Sequence, residues 1–445
     1  MLNTLYKSMS KSVLIQSGFV FSAFLAQAGE SGLVLTDAVE TGKRNSPELK
    51  RLGLIVEASG AKRWEAISGF LPQLSVNANY FFNAKYASLG INFGSNPVTI
   101  PSAYPQTNIE ITGSWTFFDG FATWNSYQAS VLGYEAAQLE FEDAQFRSLN
   151  FIRTRFFQAL AAQQLAEVAN QNIETLEHHL SLVQMNEQAG TGTRVDVLRL
   201  QAQLEEARAE KILADDNTIL ARWTLAEAMG VDEAPQRLEG TLPVPAENQV
   251  PDSLQFKVAE RRDLQAQVKR ELASDRMSSA GWGSLIPRAS LFAVEQFFGY
   301  NNFFNSSISA TDGLQNAWGF GLRLSWNLFD GGASIAKKVQ FDAQAKQAAQ
   351  VTRKTLLSAA ADFETWRRRY TYNVVLFKAR QRTVEQYEES VRLATISVKA
   401  GTKTHWEFLD AERDLFRARA GVIQAQLAAA ESLSHLENAS GHSFN

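Results

Sequence analysis

The chain has 445 residues, 45% of them apolar and 20% charged, with a formal net charge of −4 and no cysteine. That length allows two or three domains with ample apolar surface to bury, and the acidic balance argues against a nucleic-acid partner, which wants clustered Lys and Arg. The missing cysteine removes disulfides, thiolate metal sites, a cysteine nucleophile and a lipid-anchored cysteine together.

At the N-terminus, Lys7 and Lys11 bracket the approach to a mostly apolar run over 13–25, followed by Ala26-Gln27-Ala28. Positive charge, an apolar stretch too short to span a bilayer and a small-x-small site predict a cleaved signal peptide over 1–28. A flexible start followed by a buried helix is the other reading of the same residues. No later segment offers the roughly 18 consecutive apolar residues of a spanning helix, so any entry into a membrane is expected through strands.

Ser46, Pro47 and Glu48 make a helix start: a capping hydroxyl, a proline suited to the first turn and an acid at the positive end. That helix is expected to reach about Gly69, and two strands over about 71–118 follow it. The second is the clearer one, with Ile109, Ile111, Trp115 and Phe117 alternating with Glu110, Thr112, Ser114 and Thr116. Period two with one apolar face marks a strand. Between the strands, 90–107 reads as a polar loop rich in Gly, Pro and Asn. The run Trp115 to Gly120, WTFFDG, ends the strands. Beyond it 122–188 holds no proline and only one glycine, Gly133. Proline costs about 3 kcal/mol inside a helix and glycine about 1, so this span predicts one helix of ~100 Å at about 1.5 Å per residue. Its neighbours His178 and His179 diverge on a helix, are no ligand pair and are expected to be solvated. AGTGT then turns the chain into a helix over 193–229.

A proline-rich segment over 231–252 reads as a linker. After it the order returns. A helix over about 262–280 leads to strands over about 287–329, separated by a polar loop over 300–315. Here Trp318, Phe320, Leu322, Leu324, Trp326 and Leu328 alternate with Gly319, Gly321, Arg323, Ser325 and Asn327. The run Trp326 to Gly331, WNLFDG, precedes a helix over 333–399, the turn AGTKT and a helix over 404–436. Trp115 and Trp326 lie 211 residues apart, as do AGTGTRVDVL and AGTKTHWEFL; SPEL at Ser46 pairs with RRDL at Arg261, and LPQLSV with IPRASL, at an offset of 215. The chain therefore reads as two copies of one unit, 29–230 and 253–440, joined by the linker.

The helices after the turns carry one apolar stripe at Val197, Leu200, Leu204 and Ala207, copied at Phe408, Ala411, Leu415 and Ala418, with a second at Val195, Leu198 and Ala202. A doubled stripe implies neighbours on two flanks. In length, each very long helix matches two shorter ones stacked end to end. The fold class is mixed α and β. Four strands cannot close a barrel, and open edges are not tolerated in lipid, so a membrane reading requires several copies. The rival readings are a half-buried soluble sheet and a long-helix structural or adhesive surface protein. Glu407 and Asp410 share a helix face, as i, i+3 residues do; alone they also fit a solvated acidic face. The chain shows no phosphate loop, nucleophile elbow or HExxH helix, so neither an enzyme nor a cofactor is expected.

SPEL and RRDL, the LP and IP strand starts, the two W-x-x-F-D-G strand ends and the two AGT-x-T turns, in this order, resemble the TolC family of outer-membrane efflux and secretion ducts. The resemblance spans essentially the whole mature chain. It implies a homotrimer in the outer membrane of a Gram-negative bacterium, with a shared transmembrane β-barrel continuous with a long periplasmic α-helical barrel and an equatorial belt from the linker. It implies a passive duct for efflux or type I secretion, served by a periplasmic adaptor and an inner-membrane pump or ABC transporter. The periplasmic tip would be formed by Gly190, Thr191, Gly401 and Thr402. Carried over from the family, an acidic gate ring falls on Glu407 and Asp410, and a gate latch on Lys403 and Asp196, with Arg194 and Asp410 as further partners. Lysine where the family has arginine loses bidentate pairing and loosens such a latch. Trp115 and Trp326 would mark the lipid–water boundary, with Asp119 and Asp330 as helix caps and Gly120 and Gly331 as permissive corners.

Overall fold

The computed structural model describes residues 32–82, 87–93, 96–102, 107–251, 254–299, 314–400, 402 and 404–444. The expected signal peptide, Gly401 and Lys403 lie outside these residues. In chain order come helices α1 (Leu35–Asn45) and α2 (Pro47–Ser68), strands β1 (Gln73–Tyr80), β2 (Ala87–Phe93), β3 (Asn96–Ser102) and β4 (Thr107–Phe118), and helices α3 (Ala122–Gln188) and α4 (Arg194–Met229). The second half has α5 (Arg262–Ala280), β5 (Arg288–Gly299), β6 (Gln315–Ser325), α6 (Ala333–Lys399) and α7 (His405–Ser440).

The composition explains the long elements. α3 and α6 each run 67 residues without proline, which at about 1.5 Å per residue is ~100 Å. Ser46 caps α2, accepting the Leu49 N–H on its hydroxyl at 3.4 Å, with Pro47 at the first helical position. Helix α1, just upstream, was not expected; it is only 11 residues long, although Leu35, Ala38, Val39 and Gly42 fall at the i, i+3, i+4, i+7 spacing of a one-faced helix and turn that face to the core.

The four long strands form one antiparallel sheet in the order β1-β4-β5-β6, while β2 and β3 form a separate two-stranded ribbon. That ribbon corrects the expectation of a plain loop over 90–107. Pro97 and Pro101 sit inside β3, and proline is compatible with a strand that has a free edge. A second correction is the end of β6: it stops at Ser325, so Trp326 and Leu328 lie beyond the ladder.

The register sorts the sheet into two faces. Leu74, Gly113, Ala293 and Phe320 stand in one row, and Val76, Ile111, Glu295 and Trp318 in another on the same face. The opposite face carries rows such as Ser75, Thr112, Val294 and Gly319, and Asn77, Glu110, Gln296 and Ala317. β5 alternates poorly in sequence because it places Phe292 and Val294 on the polar face and Glu295 on the apolar one. Two of these exceptions have a polar or charged partner: the Arg323 guanidinium stands 4.7 Å from the Phe292 ring centre, and the Asn316 amide donates to Glu295 at 3.0 Å.

The helices below keep the order of the strands they continue. α2 packs on α3, α3 on α5 and α5 on α6. Farther along, α4 packs on α3, α3 on α7 and α7 on α6. The shorter helices meet end to end. Gly230, which closes α4 at φ +69°, abuts the start of α2: a β-carbon there would lie 2.9 Å from the Asn45 carbonyl oxygen. Gly441, which closes α7 at φ +84°, abuts the start of α5: a β-carbon would lie 2.4 Å from the Glu260 oxygen.

The core gathers where these joints fall, halfway along the long helices. Ala38, Ile152, Phe156, Leu160, Leu225 and Met229 pack with Leu238 and Leu242 of the inter-helix segment. Beside them Phe363, Tyr370, Val374, Leu433, Leu436 and Phe444 pack with Val250, Leu254 and Phe256. Burying a side chain of this size is worth roughly 1.5–3 kcal/mol. Tyr370 donates to the Ala246 oxygen at 3.0 Å and Gln426 to the Leu242 oxygen at 2.8 Å, pinning the segment across α6 and α7. Of the two apolar stripes on α4, the one through Val197, Leu200, Leu204 and Ala207 is buried, whereas Val195 is 64% exposed and Leu198 52%.

Candidate functional site

Two places repeat with matched chemistry: the junction between sheet and long helix, and the turn at the far end. At the junction, the Trp115 indole donates to the Phe70 oxygen at 2.9 Å and the Trp326 indole to the Leu285 oxygen at 3.2 Å. Each tryptophan thus ties the end of one strand to the residues that lead into its neighbour. Asp119 accepts the Thr123 N–H at 2.8 Å and its hydroxyl at 2.6 Å; Asp330 accepts the Ser334 N–H at 2.9 Å and its hydroxyl at 2.5 Å. Both carboxylates therefore satisfy a first-turn N–H from outside the helix, the service of an N-cap. The residue in the cap position proper is Phe121 at φ 64° in the first case and Gly332 at φ 89° in the second. Gly120 and Gly331 precede them, also at positive φ.

At the far end, each Thr-x-Thr does two jobs. Thr191 donates its hydroxyl to the Asn186 oxygen at 3.1 Å, and Thr402 to the Ser397 oxygen at 3.0 Å, closing the turn on the preceding helix. Gly190 supplies the left-handed residue at φ 76°. The second threonine starts the next helix. Thr193 accepts the Asp196 N–H at 3.3 Å, and Thr404 makes a reciprocal capping box with Glu407, whose carboxylate accepts the Thr404 N–H at 3.3 Å.

Glu407 and Asp410 are both exposed in the first turns of α7. Asp410 pairs with Arg413 at 3.0 Å. Arg194 lies 3.7 Å from Glu187, and Asp196 accepts the Trp406 indole N–H at 2.7 Å. Within one chain, the structure therefore joins Asp196 to Trp406, gives Arg194 and Asp410 partners on their own hairpins, and leaves Lys403 outside the described residues. Hydrogen bonds from the Thr193 hydroxyl and then from the Trp406 indole hold the Asp196 carboxyl below the usual carboxylate range. Beneath these groups Val183, Val197, Leu200, Ala394, Phe408 and Leu409 form an apolar cluster shared by all four helices.

One residue near the tip behaves differently from expectation, and another, Trp406, gains the role its sequence left open between touching a partner hairpin and simply packing. His179 is not solvated: its side chain is 12% exposed, its ring stands edge-on to Phe408 at 4.7 Å, and its Nε2 lies 3.7 Å from Glu412. Adjacency to His178 said only that the two diverge; α7 covers the side on which His179 projects. For Trp406 the available signal was an indole in a helix first turn, opposite an acid in the matched first turn of the other hairpin.

Comparison with known proteins places this geometry in context. The family described as "Outer membrane efflux protein" matches residues 39–231 and 259–442. The chain is 22% identical to the outer membrane protein TolC of Vibrio cholerae over 426 residues, covering 92% of this chain and 90% of that protein. It is 22% identical to the proteases secretion protein PrtF of Dickeya chrysanthemi over 431 residues, covering 92% and 87%. Among solved structures, the CmeC outer membrane channel of Campylobacter jejuni superimposes with a TM-score of 0.77 at 15% identity, covering 92% of this chain and 86% of that one, so the fold is shared. The chain belongs to the outer membrane efflux protein family.

Proposed function

We propose that this protein is a trimeric outer-membrane channel-tunnel, the passive exit duct of a tripartite efflux or type I secretion system, gated at its periplasmic tip. The observation that carries this reading is the sheet. Among the described residues its two outer strands, β1 and β6, each have a single partner, and one of its faces is apolar, with Trp318 75%, Phe320 74% and Leu322 65% exposed. Unpaired strand edges cannot stand in lipid, so the sheet must close against further copies. Four strands from each of three copies make a twelve-strand barrel, with the apolar face toward lipid and the Glu110–Thr112 face toward water. The same closure carries the helices beneath into a ring, and it covers exposed Val195, Leu198, Ile212 and Ile219 of α4 at one flank and Leu357, Val375 and Ile396 of α6 at the other. The matched junctions and turns fit a duplicated unit, 29–230 and 253–440, with 231–252 contributing to the belt.

In this arrangement α7 brings Glu407 and Asp410 of three copies around one axis as an acidic ring that attracts cations. A periplasmic adaptor and an inner-membrane pump or ABC transporter would supply the energy. The purified protein should form cation-selective channels in planar bilayers, and E407Q with D410N should lower that selectivity. A soluble monomer that leaves the bilayer silent would overturn the duct and favour a long-helix surface protein. Unchanged selectivity would remove the two carboxylates from the lumen.

A further inference from the structure

α4 and α7 belong to different hairpins, and among the described residues Trp406 is hydrogen-bonded between their first turns. Its indole N–H donates to Asp196 Oδ1 at 2.7 Å, and the Arg199 guanidinium stands 4.7 Å from the ring centre. Asp196 is fixed from its other side: the Thr193 hydroxyl donates to Oδ2 at 2.7 Å, while the Asp196 N–H returns to that hydroxyl. The carboxylate thus points its free oxygen at the neighbouring hairpin and cannot turn away without giving up its own cap. Trp406 also packs on the apolar cluster of the four helices, so its ring has a seat whether or not the polar bond is made.

We propose that Trp406 is the positioning residue that holds the two hairpin tips of each chain together, through its hydrogen bond to Asp196, and that breaking this bond is a step in opening the duct. The proposal rests on the duct reading and gives the tie to an indole, where the family resemblance gave it to Lys403. The two mechanisms differ physically. A hydrogen bond is directional and weakens steeply when misaligned, so a small slide of α7 past α4 breaks it, while the apolar contacts beneath can re-seat. An exposed ion pair tolerates such a slide and weakens with salt instead.

Substitutions separate them. W406F removes the N–H and keeps an aromatic ring for the apolar cluster and for Arg199, though a smaller one with a weaker cation–π contact. D196N keeps an acceptor oxygen for the indole but removes the charge a lysine would need, and D196A removes both. In planar bilayers W406F and D196A should each raise the open-to-closed ratio by at least roughly three- to tenfold, the worth of one hydrogen bond per chain, and by more where the three chains open together. D196N, which keeps an acceptor oxygen but not the charge-assisted bond, should raise the ratio less than D196A does, and W406F with D196A together should do little more than D196A alone. The chain lacks cysteine, so spin labels at A189C and A400C, exposed positions at the two turns, read the distance between tips in the detergent-solubilised oligomer, and W406F should lengthen and broaden it. A wild-type ratio and distance in W406F would overturn the proposal, as would a D196N effect equal to that of D196A. A wild-type protein with no conductance would sink the duct reading instead, and the label distances would still decide the tie.

Discussion

At the scale of single residues, the chain concentrates its charge where helices of different halves meet. Asp263, in the first turn of α5, receives Arg261 at 2.6 Å and Arg147 of α3 at 2.6 Å. Burial pushes its carboxyl upward, but the hydrogen bond and charge of Arg261, with the charge of Arg147, outweigh this and leave it below the usual range. A carboxyl depressed on folding contributes stability that is whole above its unfolded pKa of about 3.9 and is lost as pH falls through that value toward the folded one. D263N should therefore cost about 2–3 kcal/mol near neutral pH, by leaving two guanidinium groups half-paired. The gap to wild type should close as the pH falls below about 4. Thermal melts followed by circular dichroism in detergent measure both limits, and a gap independent of pH would mean that Asp263 acts by packing. Asp143, which pairs with the same Arg147, is shifted the other way, chiefly by burial. Its cost is relieved on acidification and offsets part of the wild-type loss. Arg261 and Asp263 were visible in the RRDL motif, but their Arg147 partner was not, because it lies 116 residues upstream of Asp263.

Among elements, the joints matter more than the helices. Several of these joints turn on a glycine at positive φ, and alanine there costs about 1–2 kcal/mol in backbone strain alone. Gly331 at φ +71° has open space around it, whereas a β-carbon on Gly230 or Gly441 meets the backbone of α2 or of the residues leading into α5. G331A should accordingly cost about 1–2 kcal/mol, and G230A and G441A at least about 3, since strain and a backbone clash add. Unfolding of the detergent-solubilised protein checks the ranking, and equal costs would mean that the end-to-end joints are loose. The length and type of the long helices were legible in the sequence, since proline-free, alanine-rich runs have one favoured state. The paired turns were legible because a short range fixes them: each threonine closes onto a residue within five positions. The β2–β3 ribbon was hidden by its own prolines, whereas α1 was legible in the helical spacing of Leu35, Ala38 and Val39 and was missed because it is short and ends directly at the Ser46-Pro47 start of α2. The Trp406–Asp196 contact stayed out of reach because its partners lie 210 residues apart.

At the scale of the whole molecule, the sheet register makes the sharpest demand. Phe320 and Thr112 stand at nearly the same height, Phe320 in the row with Ala293 and Gly113 and Thr112 in the next row, on opposite faces of the sheet. If the apolar face meets lipid and the polar face encloses water, one added charge has opposite consequences at two sites only two strand spacings, about 10 Å, apart. A lysine on the lipid face near the bilayer midplane costs roughly 2–4 kcal/mol, and on the lumen side almost nothing beyond local packing. Closure multiplies the difference, because every copy in the ring carries the same substitution. F320K should therefore assemble poorly in the outer membrane, whereas T112K should insert and form oligomers like the wild type, with its lumen made more positive. Yields of heat-sensitive oligomer from outer-membrane fractions measure this directly. Equal yields from F320K and T112K would mean that the two faces are not divided between lipid and water, and the barrel built from several copies would fall with that division.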